Sequence, residues 1–401
     1  MAETLSADNQ PHDQTRSIPF YRDERVLRNI AQAVSAIAVF GLVYFAIINF
    51  FRAADARGLS LGFGFLDEAA GFPISESHIE YDPSMGFGRA FLAGLVNTLM
   101  VSGTGVIAAT ILGTIVALAR LSSNWILQKL ALVYVEFHRN IPLLVLLYLW
   151  YFAVFQQFPN VRDSIIIGDN LIILNQRGLY LTWPRLTETG NIFAISVMVG
   201  VIAALIAFYR LRKTREISGK ETYYGRISLM ILLGVPLIGW FLGGGSAFSV
   251  DVPTIVGFNY QDGLRVTPEF AGLFIGLVMY TAGFIAEVVR AGIQAVDRGQ
   301  LEAAQAVGLS YFQVLSLIIL PQALRIIIPP MISQYLNLTK NSSLALFIGF
   351  QDVFGVSKIA INNAGRAVPV FAMVMVTYLS LSLITSLILN LYNRRIQLVT
   401  R

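Results

Sequence analysis

Cysteine is absent from this 401-residue chain, and only 13% of its residues are charged. Without cysteine there is no disulfide scaffold and no thiolate to bind a metal or attack a substrate. A soluble domain carries about 25% charged residues, so roughly half the usual charge is missing. That excludes a disordered chain and an ordinary cytosolic enzyme. Histidine is scarce as well, and His12, His78 and His138 are scattered without metal-ligand spacing. No G-x-x-x-x-G-K-[ST] stretch is present to cradle a phosphate. Gly58-Leu59-Ser60-Leu61-Gly62 spells G-x-S-x-G. A nucleophile elbow, however, needs a strand before it, a helix after it, and a histidine and an acid alongside. No catalytic residue, no metal site and no cofactor is therefore expected in this chain.

What fills the sequence instead is long apolar runs. No Asp, Glu, Lys or Arg occurs from Asn29 to Phe51, Ala90 to Ala119, Asn140 to Val161, Thr189 to Tyr209, Ile227 to Val250 or Ala367 to Asn393. Crossing ~30 Å of hydrocarbon takes about 20 apolar residues of helix, and all six runs reach that length, the third starting near Pro142. Phe270–Arg290 is apolar until Glu287, and Ile326–Gly349 apart from Lys340 and its polar neighbours, which brings the count to eight spans. The expected fold is all-α, a polytopic membrane bundle. Ala54-Asp55-Ala56 resembles a signal cleavage site, but the first run exceeds the ~7–15 residues of a signal core. An uncleaved anchor is expected.

The formal net charge of +5 would suit a nucleic-acid partner; its distribution fits membrane topology better. Arg16, Arg22, Arg25 and Arg28 precede the first span, Arg210, Arg212, Lys213, Arg215, Lys220 and Arg226 follow the fourth, and Arg394, Arg395 and Arg401 close the chain. Loop Arg52–Arg89 is rich in Asp and Glu, as is the stretch Asp251–Glu269. Cytoplasmic loops favour Lys and Arg, so both termini are expected in the cytoplasm, and with them the long loop Ala291–Arg325.

That loop reads as a two-helix knob. Leu301–Val307 is a strong helix former, with Glu302 expected in its first turn, and Gly308 supplies a left-handed stop. Ser310 and Gln313 form a capping box for a second helix, whose regular pattern is expected to end at Pro321. Such a knob either covers the bundle or docks on a partner. Gly272-x-x-x-Gly276 lies within a span, where small residues let helices approach closely.

The spacing E-A-A, three residues, G, nine residues, I-x-L-P is met by Glu302-Ala303-Ala304, Gly308 and Ile318-Ile319-Leu320-Pro321. It resembles the EAA loop of ABC importer permeases. Asn97-Thr98-Leu99, Tyr134-Val135-Glu136, Arg139–Leu144, Tyr280–Glu287, Gln334–Ala345 and Tyr392–Arg395 resemble the polar-amino-acid importers, and the enlarged chain is similar to a general L-amino-acid importer permease. The resemblance implies a five-helix permease core in two parts, 88–158 and 266–395, with coupling loop 297–322. It also implies a tail 1–28, an extra helix 29–51 and an insertion 159–265 carrying two spans. Glu302, Ala303, Ala304, Gly308, Leu309, Ile318, Leu320 and Pro321 would couple to a cytoplasmic ATPase, in two copies, that binds the ATP. A second homologous permease and a periplasmic amino-acid-binding protein are the other implied partners, and the bacterial inner membrane the location.

A charge in mid-membrane costs at least ~2.5–3.5 kcal/mol and faces a cavity or a partner. Lys340, counted about 13 residues from the start of its span, falls near mid-depth, beside Asn337, Asn341, Ser342 and Ser343. With Thr281 these are candidates to line a substrate path; Lys340 could equally bind backbone carbonyls and only stabilise the fold. Glu287 and Arg290, paired at i,i+3, are interface candidates. The competing function is an ion-gradient-driven amino-acid transporter, a class that favours internal repeats and intramembrane carboxylates; neither is evident. An ion channel would want a selectivity loop or a charged ring.

Overall fold

The computed structural model describes residues 24–56, 58 and 61–396. Arg16, Arg22, Arg401, His12 and most of the tail 1–28 lie outside the described residues, as do Leu59 and Ser60 of the G-x-S-x-G stretch. The chain divides into two compact units. One holds α1 (Glu24–Ala56), a single helix whose apolar side chains Ile37, Phe40, Leu42 and Val43 are exposed around its circumference, as in a membrane span.

The other unit is a helical bundle. Its helices are α2 (Phe87–Arg120), α3 (Trp125–Asn140), α4 (Leu143–Tyr148), α5 (Gly190–Ser218), α6 (Tyr224–Leu242) and α7 (Pro268–Gln294). Then come α8 (Arg298–Ala306), α9 (Tyr311–Gln313), α10 (Leu320–Asn341), α11 (Val353–Ala364) and α12 (Ala367–Ile396). Among the described residues 7 helices are long and apolar enough to cross a membrane, and a broken pair makes up to 8. That pair is Trp125–Asn140 with Leu143–Gln157, bent by 108°. The span expected at Asn140–Val161 is therefore only its second limb. Pro142 forces the preceding Ile141 into extended backbone, φ −93° and ψ 132°, and the helix breaks there.

The inserted span expected at about Ile227–Gly243 is α6, which closes at Leu242, where Gly243, Gly244 and Gly245 follow and Phe248–Asp251 forms a strand. One more expectation is corrected. Pro321 does not end the second helix of the knob. Residues Val314–Ile319 adopt a π-helical turn in which the Leu320 amide reaches back to Leu315 O. The looser turn precedes Pro321, which becomes an initial residue of α10 rather than a break. The apolar helix consequently runs from Val314 to Ile348, longer than the expected Ile326–Gly349, with a 3-10 turn over Ser342–Ile348.

Short strands, none of them expected, occupy the ends of the insertion. β1 (Ile165–Ile167), β2 (Ile172–Asn175), β3 (Gly178–Leu181) and β8 (Leu264–Val266) form an antiparallel sheet in the order β1-β2-β3-β8. β4 (Trp183–Leu186) pairs with β5 (Phe248–Asp251), and β6 (Thr254–Val256) with β7 (Asn259–Gln261). Ile173, Tyr180 and Tyr260 form their small core. Between β4 and β5, helices α5 and α6 form a hairpin that packs chiefly on itself, Gly200 lying against Val235 and Pro236.

The main core joins Ala109 and Val116 of α2, Val135 of α3, Ile285 and Val289 of α7, and Ile327 and Leu338 of α10. A second cluster joins Val101, Leu147, Leu273 and Leu277 to Ala345, Ile348 and Phe350. Gly272 and Gly276 pack as expected, against Tyr151 and Leu147. Gly113 of α2 faces α7, where a β-carbon would stand 2.6 Å from Ile285 Cγ2 and 3.0 Å from Ala282 O. Gly113→Val should cost about 1–3 kcal/mol by overpacking and lower the melting temperature of the purified protein. Gly103→Ala, whose surroundings are open, should not; equal melting curves would contradict this packing.

Candidate coupling knob and substrate path

At the end of the bundle that carries Arg120 and Arg290, α8 leads into the π-turn and α10. Asp297 caps α8, its carboxylate accepting from the Gly299 amide at 2.6 Å. The helix therefore starts earlier than expected, and Glu302 is its fifth residue, outside the first turn. Its C-terminus closes as a Schellman motif: Leu309 N donates to Ala304 O (3.2 Å) and Gly308 N to Gln305 O (2.9 Å), with Gly308 at φ +79°. Gln313 Oε1 then accepts from Ser310 N at 2.9 Å, the backward half of the capping box.

Ala304 is the buried contact of α8, and Val314 of the π-turn is buried with it. Glu302, Ala303 and Gly308 face outward, and Leu309 is half-buried. Val307 and Phe312 are each 75% exposed, which adds apolar surface to the outward face of Glu302. Ile318 and Pro321 are half-buried, and Leu320 is exposed. The eight residues thus divide between an outward face and the stem that carries it.

Glu287 makes more than the expected local pair. Its carboxylate accepts from Arg290 Nη2 at 2.8 Å and Nε at 3.1 Å, and it also pairs with Arg120. Arg120 is thereby a partner that the reading of α7 alone missed. Its signal is in the sequence, since it is the charge that terminates the run Ala90–Ala119. The pair of arginines on one carboxylate fastens α2 to α7 beside the knob.

The path candidates are not all brought together. Asn337 and Lys340 are exposed and Asn341 half-buried along α10. Ser342 is fully buried, its Oγ donating to Thr339 O at 2.8 Å, and Ser343 Oγ donates to Lys340 O at 2.8 Å. Thr281 is buried in α7. Lys340 lies near the end of α10, not 13 residues into its helix, because the helix begins earlier. Leu338 nevertheless packs against Gly105, close to the middle of α2. Among the described residues no side chain pairs with the Lys340 ammonium.

Several motif segments meet in space. Tyr134 OH donates to Met279 O at 2.8 Å, and the Arg139 guanidinium lies 5.3 Å from the Phe284 ring centroid. Gly283 lies against His138 and Arg139, so these motif residues seat α3 on α7. Asn97, which the sequence singles out by pattern alone, is fully buried. Its amide joins separate loops, donating to Glu76 O at 2.7 Å and Gln351 O at 3.0 Å.

The family described as "Binding-protein-dependent transport system inner membrane component" matches residues 196–398. The chain belongs to this family. Among its curated relatives, the putative amino-acid ABC transporter permease protein YhdX of Escherichia coli is 42% identical over 92% of this chain and 94% of its own. The general L-amino acid transport system permease protein AapQ of Rhizobium johnstonii is 40% identical over 92% of each chain. The glutamate/glutamine/aspartate/asparagine transport system permease protein BztB of Rhodobacter capsulatus is 37% identical over 93% of this chain and 95% of its own. The permease is therefore a multi-pass inner-membrane protein of the ABC importer class, as the E-A-A spacing implied, and the ion-gradient reading falls away.

Proposed function

We propose that this permease translocates L-amino acids into the bacterial cytoplasm, driven by ATP that a separate ATPase binds and hydrolyses. The observation that carries the coupling is the knob: a helix capped at both ends, with Glu302, Ala303 and Gly308 turned outward on a helical stem. A docked ATPase, in two copies, would shift the knob as its nucleotide state changes. The stem continues through the π-turn into α10, which carries Pro329 and Pro330 inside it and then Asn337, Lys340 and Asn341, so displacement of the knob has a continuous helical route to these residues. A ligand-induced shift requires differential contacts in the two states, and the outward face of α8 is where these would form.

The relatives' names support amino acids as the substrate class. Lys340 would meet the substrate carboxylate, since a cation without a partner near mid-span is costly unless a cavity or a ligand faces it. A second homologous permease completes the path on the open side of α10, and a periplasmic binding protein delivers substrate to the loops around 64–86 and 251–269. Both termini, and the knob, lie in the cytoplasm on the distribution of Lys and Arg. The chain itself is non-catalytic and holds no cofactor; 88–158 and 266–395 form the transport core.

Co-purification with a P-loop ATPase, followed by amino-acid uptake in vesicles whose ion gradients have been collapsed, tests this reading. Uptake that requires ATP and the binding protein is expected. Uptake that persists without ATP would overturn it.

A further inference from the structure

At the end of the bundle opposite the knob, residues Pro73–Ile79 cross between three elements as a strap. Gln351 Oε1 accepts from Ser75 N at 2.7 Å and from Ser75 Oγ at 3.0 Å, while Gln351 Nε2 donates to Pro73 O at 2.9 Å. Asn97 of α2 donates to Glu76 O, and its Oδ1 lies 3.1 Å from His78 Nδ1. Thr267, the cap of α7, donates its hydroxyl to the Glu76 carboxylate. The strap is thus held by side chains of the surrounding elements. Each of these bonds can be exchanged for one to water.

We propose that this strap is a latch on the substrate path, released when a binding protein with a basic docking face lands beside it. The inference rests on the importer reading given above. Gln351 follows closely on the turn Ser342–Ile348 and on Gly349, which has φ +85°. Phe350 is buried between the same helices, 5.8 Å in ring-centroid distance from Phe270, and Phe270 is 6.5 Å from His78. Gln351 therefore ties the strap to the segment that begins two residues after Lys340, whose Ala345, Ile348 and Phe350 pack in the core, so a displaced strap pulls on that segment through Gln351.

Glu76 makes the closed strap easy to open. Among the described residues its carboxylate has no ion pair and relies on Thr267 for hydrogen bonding. Burial raises it above the ordinary carboxylate range, and Thr267 together with the nearby His78 and Arg265 only partly counters this. Around the strap Asp67, Glu68, Glu80 and Asp82 are exposed. A basic partner complements that surface, and its approach is steered by charge.

The chain has no cysteine, so Ser75→Cys with Gln351→Cys gives a single thiol pair for a short, reducible bis-thiosulfonate crosslinker. In the full complex reconstituted with its ATPase and binding protein, crosslinking should lower uptake at least tenfold, and reductant should restore it. Full uptake with crosslinking complete would overturn the latch. Gln351→Ala should raise ATP hydrolysis in the absence of binding protein severalfold; an unchanged rate would also overturn it. Neutralising Asp67, Glu68, Glu80 and Asp82 should weaken binding-protein capture tenfold at low salt, and unchanged capture would remove the basic-face partner. If the unmodified complex takes up no amino acid with ATP, the importer reading fails instead, so the two failures are distinguishable.

Discussion

Gly308→Val in the assembled transporter should reduce amino-acid uptake at least tenfold, while Gly308→Asn should keep most of it. Gly308 stands at φ +79°, and a β-carbon there would meet no atom within 4 Å. Crowding inside the permease cannot explain a loss; backbone conformation can. A β-branched residue is a genuine outlier at positive φ, whereas Asn tolerates it. Valine would unwind the Schellman closure made by Leu309 N and Gly308 N, and Glu302 would lose its fixed attitude on the stem. The measurement is uptake set against ATP hydrolysis in the same vesicles. Hydrolysis should persist while transport falls, because the motor remains and its linkage is lost. Equal uptake by both variants would sink the assignment.

Lys340→Met should abolish uptake and leave the complex assembled. Methionine fills a similar volume without the charge, and no protein partner is stranded among the described residues. Were Lys340 only structural, its removal would spare transport or even stabilise the protein, since an ammonium in mid-span is costly. Gel filtration of the complex, thermal melting and a panel of labelled amino acids separate these outcomes. Retained uptake with an unchanged substrate range would exclude Lys340 from the path.

Much of this architecture was legible because charge is so sparse. Each gap between charges holds a helix, and Arg120 and Asn393 mark near-true ends of α2 and α12. The knob was legible because Gly308, Ser310 and Gln313 act within a few residues of one another. Departures arose where a local rule met a longer-range accommodation. Pro321 ends a regular α-helix, but the π-turn ahead of it lets the chain continue. Phe248–Val250 closes a charge-free run, yet it is a strand rather than loop, because β4 recruits Phe248–Asp251. The strap was invisible to pattern, since Glu76, Asn97, Thr267 and Gln351 are far apart in sequence. Their shared role appears only when four chain segments meet.

The pairing of β4 with β5 places Leu186 opposite Phe248, the two residues at which the α5–α6 hairpin leaves and rejoins the bundle. The ends are thus already at the separation a two-residue turn would bridge. Because the hairpin enters and exits at one ribbon, it adds two crossings and leaves the polarity of every later helix unchanged. It is a topologically silent appendage, which evolution can gain, lose or remodel without rewiring the transport machinery downstream.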